Sequence, residues 1–345
     1  MKIAIIGTGF FGTTLALILS KRHDVDLYEK KRDILNGASF ANQFRFHYGY
    51  HYPRSQKTVN EIGVSKNHFT KFYSSKIFGN TKNYYMIAAN SKTSPSKYIK
   101  FLKKNKLYFK LVNDNFSSNF IKKTILTNEK NLNYFLIKKK IINKIKSSNI
   151  NLKLKSYFKK NYLKKYDKIL VCCYSDNNKI LRNLGIKKIK KYKFELIEKI
   201  LIKLPKKYIN KSIVVIDGSF VCVDPYLGTK FHLLSDVKES KLEIAENKFS
   251  IFKSSKSRFI NRGIIKNIKI SRFKKFINRS SKYLPFLKYA KYYGSMFTVR
   301  CLEINKENTD ERTTGIIKHT SKILSIHSGK WNTCIHLAKK INREL

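Results

Sequence analysis

The stretch Lys2–Arg22, "KIAIIGTGFFGTTLALILSKR", decides the fold. "KIAIIG" is a short, isoleucine-rich apolar run of the kind a buried parallel strand shows. Gly7, Gly9 and Gly12 follow as G-x-G-x-x-G, and Ala16 continues the pattern onto the packed face of a predicted helix. The first glycine permits a tight turn, the second lets a pyrophosphate approach the backbone, and the third lets helix and strand pack closely. The helix N-terminus then offers free N–H groups to phosphates. "DVDLYEK" predicts a second strand ending at Glu29, 22 residues after Gly7, where a carboxylate can accept hydrogen bonds from ribose hydroxyls. The pattern predicts a Rossmann-type dinucleotide-binding unit. Gly7, Gly9, Phe11, Gly12, Glu29 and Lys30 are its expected cofactor contacts.

The chain has 345 residues, too many for one small core, which fits two domains or one large domain with an insertion. Its net charge is +51. A balance of that kind suits nucleic acid, an anionic membrane or an acidic partner. However, the lysines are spread along the whole chain among Ile, Asn, Tyr and Phe, as in "KLKSYFKKNYLKKYDK". All these residues have A/T-rich codons, so drift in an A/T-rich genome produces the same profile. The expectation is therefore no nucleic-acid partner, and a field that favours anionic substrates and cofactors.

Five cysteines, with no C-x-x-C pair and Cys172 beside Cys173, argue against a disulfide framework or a zinc site. The apolar N-terminus could pass for a signal peptide, but its glycine spacing and the lack of a small-residue cleavage site speak against one. No stretch reaches the roughly 18 apolar residues of a membrane span. A cytoplasmic protein is expected.

A nicotinamide enzyme would continue with further strand–helix units after the acidic residue. Here a polar, aromatic segment follows instead, including "NQFRFHYGYHYPRS" from Asn42 to Ser55. Within it, Gly37, Ala38 and Ser39, then Asn42, His47 and Gly49, then Tyr52, Pro53 and Ser55 resemble a segment of the FAD-dependent oxidoreductases of the D-amino-acid oxidase type. Inside that group the resemblance points to enzymes oxidising 2-hydroxyglutarate and glycerol 3-phosphate. It implies FAD contacts at Ser39, Asn42 and Gln43, and His47 beside the flavin ring. Near the C-terminus, "ILSIHSGKWNTCIHLAKKINREL" resembles the group's closing strand, glycine–lysine loop and helix. That implies Gly329, Lys330, Asn332 and Thr333 at a helix N-terminus facing the flavin pyrimidine. A helix N-terminus and a lysine there would stabilise the negative charge of reduced flavin. Two departures stand out: Cys172, Cys173 and Tyr174 replace small residues and a glycine, and "SGK" replaces a glycine pair.

The candidate catalytic residues are His47, Arg45, Tyr52 and Arg312. His47 would serve as base toward a hydroxyl substrate. Arg45 or Arg312, with Arg54 and Arg300 as further candidates, would clamp a carboxylate or phosphate. Tyr48, Tyr50 and Tyr52 alternate as on a strand, and Tyr52 is the substrate-facing choice. A His47–His51 metal pair needs a helix that Tyr52-Pro53 would break, so no metal is expected.

Further along, Ser212–Ile216, Phe220–Val223 and Lys230–Leu234 read as an antiparallel meander. Asp217-Gly218 suits a two-residue hairpin turn, and Asp224-Pro225 with Gly228 marks the next turn. "SPSKYIKFLKKNKL" and "NEKNLNYFLIKKKIINKIKSSNI" read as lysine-rich helices. Residues Lys241 to Tyr293 read as basic and helical, without clear assignment.

The expected fold is α/β plus α+β. A discontinuous Rossmann-type FAD-binding domain (1–80, 130–185 and 305–345) carries an antiparallel-sheet substrate domain (81–129 and 186–304). The expected function is FAD-dependent oxidation of a small anionic amine or hydroxy-acid-type substrate, by hydride transfer to flavin N5. Alternatives are a flavoenzyme acting on a nucleotide-linked sugar, mutase-like or in polysaccharide biosynthesis, an NAD(P) dehydrogenase, and a basic nucleic-acid- or membrane-binding protein on a flavin fold.

Overall fold

The computed structural model describes residues 1–218, 221–306, 308–312 and 314–345. Strand β1 (Lys2–Ile6), helix α1 (Phe10–Leu19) and strand β2 (Asp24–Tyr28) form the predicted strand–turn–helix–strand unit. β1 pairs in parallel with β2 on one side and with Lys168–Val171 on the other. Asn151–Lys153 extends the sheet beyond β2, in parallel. Ile323–His327 extends it in parallel past Lys168–Val171, and Gly315–Lys318 closes that edge antiparallel. The order is that of one six-stranded sheet.

Apolar residues on both faces of β1 explain its place in the middle: Ile3, Ala4 and Ile5 are fully buried. Helix α1 is buried along its whole length, because the helix Cys334–Glu344 covers it; Thr14 reaches the Cys334 sulfur at 3.3 Å.

A second, nine-stranded sheet lies over the first unit. It contains the long strands Tyr192–Lys203 and Lys291–Leu302, paired antiparallel. It also holds Lys211–Ile216, Val221–Pro225 and His232–Asp236 as the expected meander. One pair departs from the antiparallel expectation: Lys211–Ile216 runs parallel to Lys82–Ala88. Strand β3 (Arg45–Phe46), Lys130–Leu132 and Phe78–Gly79 make a small third sheet. Among the described residues, no helix is long and apolar enough to cross a membrane.

Several local expectations change. The first two meander strands pair Val214 with Cys222, where a two-residue hairpin at Asp217-Gly218 would pair it with Val221; the expected strand start at Phe220 lies outside the described residues. Asp224-Pro225 is not a turn but the end of a strand, with Pro225 facing His232 and Asp224 fully buried. Lys241–Asn247 is an edge strand rather than a helix, and the long strand Lys291–Leu302 starts inside the unassigned region. The tyrosines at 48, 50 and 52 do not share a strand. β3 ends at Phe46, and the Tyr52 N–H donates to the Gly49 carbonyl in a turn. Tyr50 goes into the core, its hydroxyl donating to the Tyr108 carbonyl at 2.6 Å.

Candidate active site

The two main sheets enclose a cleft of about 1120 Å³, lined from Gly7 and Glu29 at one end to His47, His51, Arg312 and Lys330 at the other. Ordinary small-molecule sites run to roughly 300–1,000 Å³, so this one has room for a dinucleotide and a substrate.

The nucleotide end is a cradle that side chains would fill. Gly7 sits at φ +101°, and a Cβ there would lie 2.7 Å from the Cys172 carbonyl oxygen. A Cβ on Gly12 would lie 1.8 Å from the Gly7 carbonyl oxygen. Gly9 is the N-cap of α1 and brings no side chain of its own, so the first-turn N–H groups face the cleft. The Ser39 hydroxyl accepts from the Phe10 N–H at 3.3 Å, which sets it at that helix end. Glu29 follows β2 and accepts from the Thr8 hydroxyl at 2.5 Å and the Lys31 N–H at 2.9 Å. Lys30 reaches over the same rim to Asp176 at 2.8 Å. Phe11 lines the wall. These residues fit a dinucleotide.

The replaced glycine is now accounted for. Tyr174 holds a left-handed backbone, φ +56°, at a cost of order 1–2 kcal/mol. Its hydroxyl accepts from the Cys301 N–H at 3.1 Å, which anchors the turn to the roof sheet.

The opposite end gathers polar groups with no partner. His51 Nδ1, the Tyr52 hydroxyl and Asn332 Oδ1 are buried and lack a hydrogen bond among the described residues, and His47 Nδ1 has only the Glu129 carboxylate near it, at 3.6 Å. Asn332 is itself placed by donating through Nδ2 to the His47 carbonyl at 3.1 Å. Thr333 donates to the Lys330 carbonyl at 2.7 Å, and the Gly329 N–H to Thr314 at 3.2 Å, which shapes the loop before the helix Cys334–Glu344. The Lys330 ammonium sits 4.8 Å from the Tyr52 ring centre. Orphaned buried polar atoms imply a ligand that completes them.

Burial is the main cause of the site's low basicity. It lowers the His47 and His51 imidazoles, with Lys330 pushing the same way. It brings the Lys330 ammonium down to about 7, with Arg312 and Arg300 adding to the effect. Below pH 7 Lys330 is protonated folded or unfolded, and the fold carries the full cost of the buried charge; that cost fades as pH rises from 7 toward the ordinary lysine value of 10.5. Lys330→Met is therefore expected to raise the urea midpoint of the flavin-free protein at pH 6 and to change it little above pH 10.5.

Three expected contacts have other geometry. Arg45 does not point a free guanidinium at a substrate. It is 2% exposed and held by Asp224 at 2.7 Å, Ser212 at 2.7 Å, Asn83 at 3.1 Å and Glu129 at 3.4 Å. Two buried carboxylates consume it. Gln43 donates to the Leu233 carbonyl at 2.9 Å and accepts from Lys199, so it bridges floor and roof. Asn42 spends its carbonyl on the Gln43 and Phe44 N–H groups, leaving its amide nitrogen for the cleft. Arg312 lines the cleft, steadied by Asp310 at 3.1 Å. Arg54 is engaged by Asp217 and Asp310, and Arg300 by Glu195.

Sequence reasoning missed Glu129, Asp224 and Lys199, and weighed His51 only as a metal ligand. Lys199 sits on Tyr192–Lys203 facing the cleft, brought down to about 8 by burial, and donates to Gln43 at 2.9 Å.

A mostly parallel sheet with a glycine cradle, roofed by a largely antiparallel sheet over a polar cleft, makes a two-layer dinucleotide-binding architecture. Residues 2–100 match the family described as FAD dependent oxidoreductase (DAO), whose name carries the expected cofactor. The whole chain shares the fold of L-proline dehydrogenase from P. horikoshii, with a TM-score of 0.72 at 13% identity over 99% of this chain and 92% of that one. It shares it also with L-alpha-glycerophosphate oxidase from Mycoplasma pneumoniae, solved with FAD bound, with a TM-score of 0.67 at 14% identity over 99% and 93%. An FAD-dependent monooxygenase of Aspergillus flavus is 46% identical over 59 residues, 17% of this chain and only 14% of that protein.

Proposed function

We propose that the protein is an FAD-dependent oxidoreductase that oxidises a small anionic amine or hydroxy acid. The observation that carries this reading is one cleft holding a glycine cradle at one end and, at the other, buried polar groups without a hydrogen bond among the described residues beside Lys330 and Arg312. Gly7, Gly9, Gly12, Glu29, Lys30, Ser39 and Asn42 would hold the nucleotide half of FAD. Gly329, Lys330, Asn332 and Thr333 would hold its flavin end. FAD, when bound, supplies the hydride acceptor at flavin N5.

The chain's own residues do the rest. Lys330 and Arg312 attract and orient the anionic group of the substrate. Tyr52 offers its hydroxyl, which burial keeps protonated. His47, with a lowered basicity, is neutral at pH 7 and takes the proton of a substrate hydroxyl. We assign residues 1–80, 130–185 and 305–345 to the FAD domain and 81–129 and 186–304 to the substrate domain. The free cysteines suit a cytoplasmic site of action.

The test is anaerobic bleaching of the flavin by a panel of amino acids, hydroxy acids and nucleotide sugars. Bleaching by an anionic amine or hydroxy acid supports the reading; bleaching by none of them contradicts it. Nucleotide sugars are included because the cleft continues along the roof past Lys193 and Lys241. With a hydroxy acid, His47→Asn is expected to lower kcat by about 10²–10⁴-fold, the usual worth of a general base, at unchanged flavin content. With a free amine the loss should be far smaller.

A further inference from the structure

We infer that Glu129 is a positioning residue for His47: a buried carboxylate that draws one imidazole nitrogen inward and leaves Nε2 to take the substrate proton. The inference rests on the proposed role of His47.

The placement follows from strand register. β3 pairs antiparallel with Lys130–Leu132 through Arg45↔Asn131 and Phe46↔Lys130. His47 and Glu129 are the residues that follow and precede the end of that ladder. The His47 Nδ1 is 3.6 Å from Glu129 Oε1, ion-pair range and longer than a hydrogen bond. Catalytic hydrogen bonds are often long until a ligand is bound.

Glu129 is fixed on every side. Its side chain is fully buried. Oε1 accepts from the Tyr85 hydroxyl at 2.7 Å and from Arg45 at 3.4 Å; Oε2 accepts from the Tyr48 N–H at 3.0 Å. Arg45 in turn is held by Asp224, so a chain runs Asp224–Arg45–Glu129–His47 from the roof sheet to the site. The other charged groups facing His47 are Lys330 and Arg45, both of which disfavour its protonation, and the His51 ring lies 5.5 Å away. Glu129 is the acid that opposes them. A carboxylate behind an imidazole fixes its tautomer and stabilises the imidazolium that forms when it accepts a proton. Glu129 touches no substrate and acts through His47.

The test reads the imidazole directly, so it does not depend on finding the substrate. Histidine side-chain NMR titration of the flavin-loaded protein, with His47→Gln to assign the resonance, gives the His47 pKa and tautomer. In Glu129→Gln the His47 pKa is expected to fall by about one unit, the lower end of what an opposite charge at this range contributes. The acid limb of kcat/KM should move down by the same amount. Tyr85→Phe removes one competing donor from Oε1 and is expected to move the His47 pKa upward, which keeps the inference testable if Glu129→Gln does not fold. An unchanged His47 pKa in the folded, flavin-loaded variants overturns it. A shifted pKa with no effect of His47→Asn on turnover would instead overturn the proposed role of His47.

Discussion

Gly12→Ala is expected to give a protein that purifies without flavin. The cause is geometric. The new Cβ would stand 1.8 Å from the Gly7 carbonyl oxygen, a backbone atom with no side-chain freedom to yield. Gly7 cannot relieve it, since it is held at φ +101° against the Cys172 carbonyl. Helix α1 must therefore move off the pyrophosphate turn, taking its N-terminal N–H groups with it. A 1 Å misplacement of binding groups can cost about 100-fold, and at least that loss of FAD affinity is expected. Flavin fluorescence quenching on titration of the flavin-free variant measures it. The control is Gly63→Ala on the exposed face of helix α2 (Gln56–Tyr73), where a Cβ meets nothing within 4 Å. That change should leave FAD binding intact and, as an alanine in a helix interior, add roughly 0.5–1 kcal/mol.

The second large effect is on stability. Arg45→Met leaves Glu129 and Asp224 buried without their shared cation. Breaking a buried ion pair by removing one partner costs about 3–5 kcal/mol, because the remaining charge is uncompensated. The urea midpoint of Arg45→Met should fall accordingly. The triple variant Arg45→Met with Glu129→Gln and Asp224→Asn should recover much of the loss, since no charge is then stranded. A midpoint unchanged in Arg45→Met would mean that the guanidinium carries little of the junction between the small third sheet and the roof.

The two ends of the chain were legible because their signals are local. The glycine spacing from Gly7 to Gly12 and the carboxylate at Glu29 lie within one strand–helix–strand unit. The loop at Gly329–Thr333 precedes a helix in sequence as well as in space. The middle was harder for a physical reason: a lysine on a solvated face and a lysine in a cleft look alike in a chain with 73 basic residues. Lys199 was hidden in that way. The acidic residues held a better signal. With only 22 in the chain, each is readily matched by surface lysines, so a carboxylate set in an apolar stretch such as "VCVDPY" around Asp224 marks a buried partner. Asp224-Pro225 read as a turn because the dipeptide favours one, and burial against Arg45 overrode that local preference. Arg45 itself was placed in the right region with the wrong task, since sequence cannot show that two distant carboxylates converge on it.

The most direct test of the account is the visible absorption spectrum of the purified protein, repeated on the supernatant after acid denaturation. A flavin spectrum in the native protein that passes to the supernatant, and runs as FAD on chromatography, is the expected result. Colour retained in the pellet would keep the flavin but make it covalent, with His47 the first attachment site to examine. A protein that carries no flavin, and takes up none when incubated with FAD, would contradict the account.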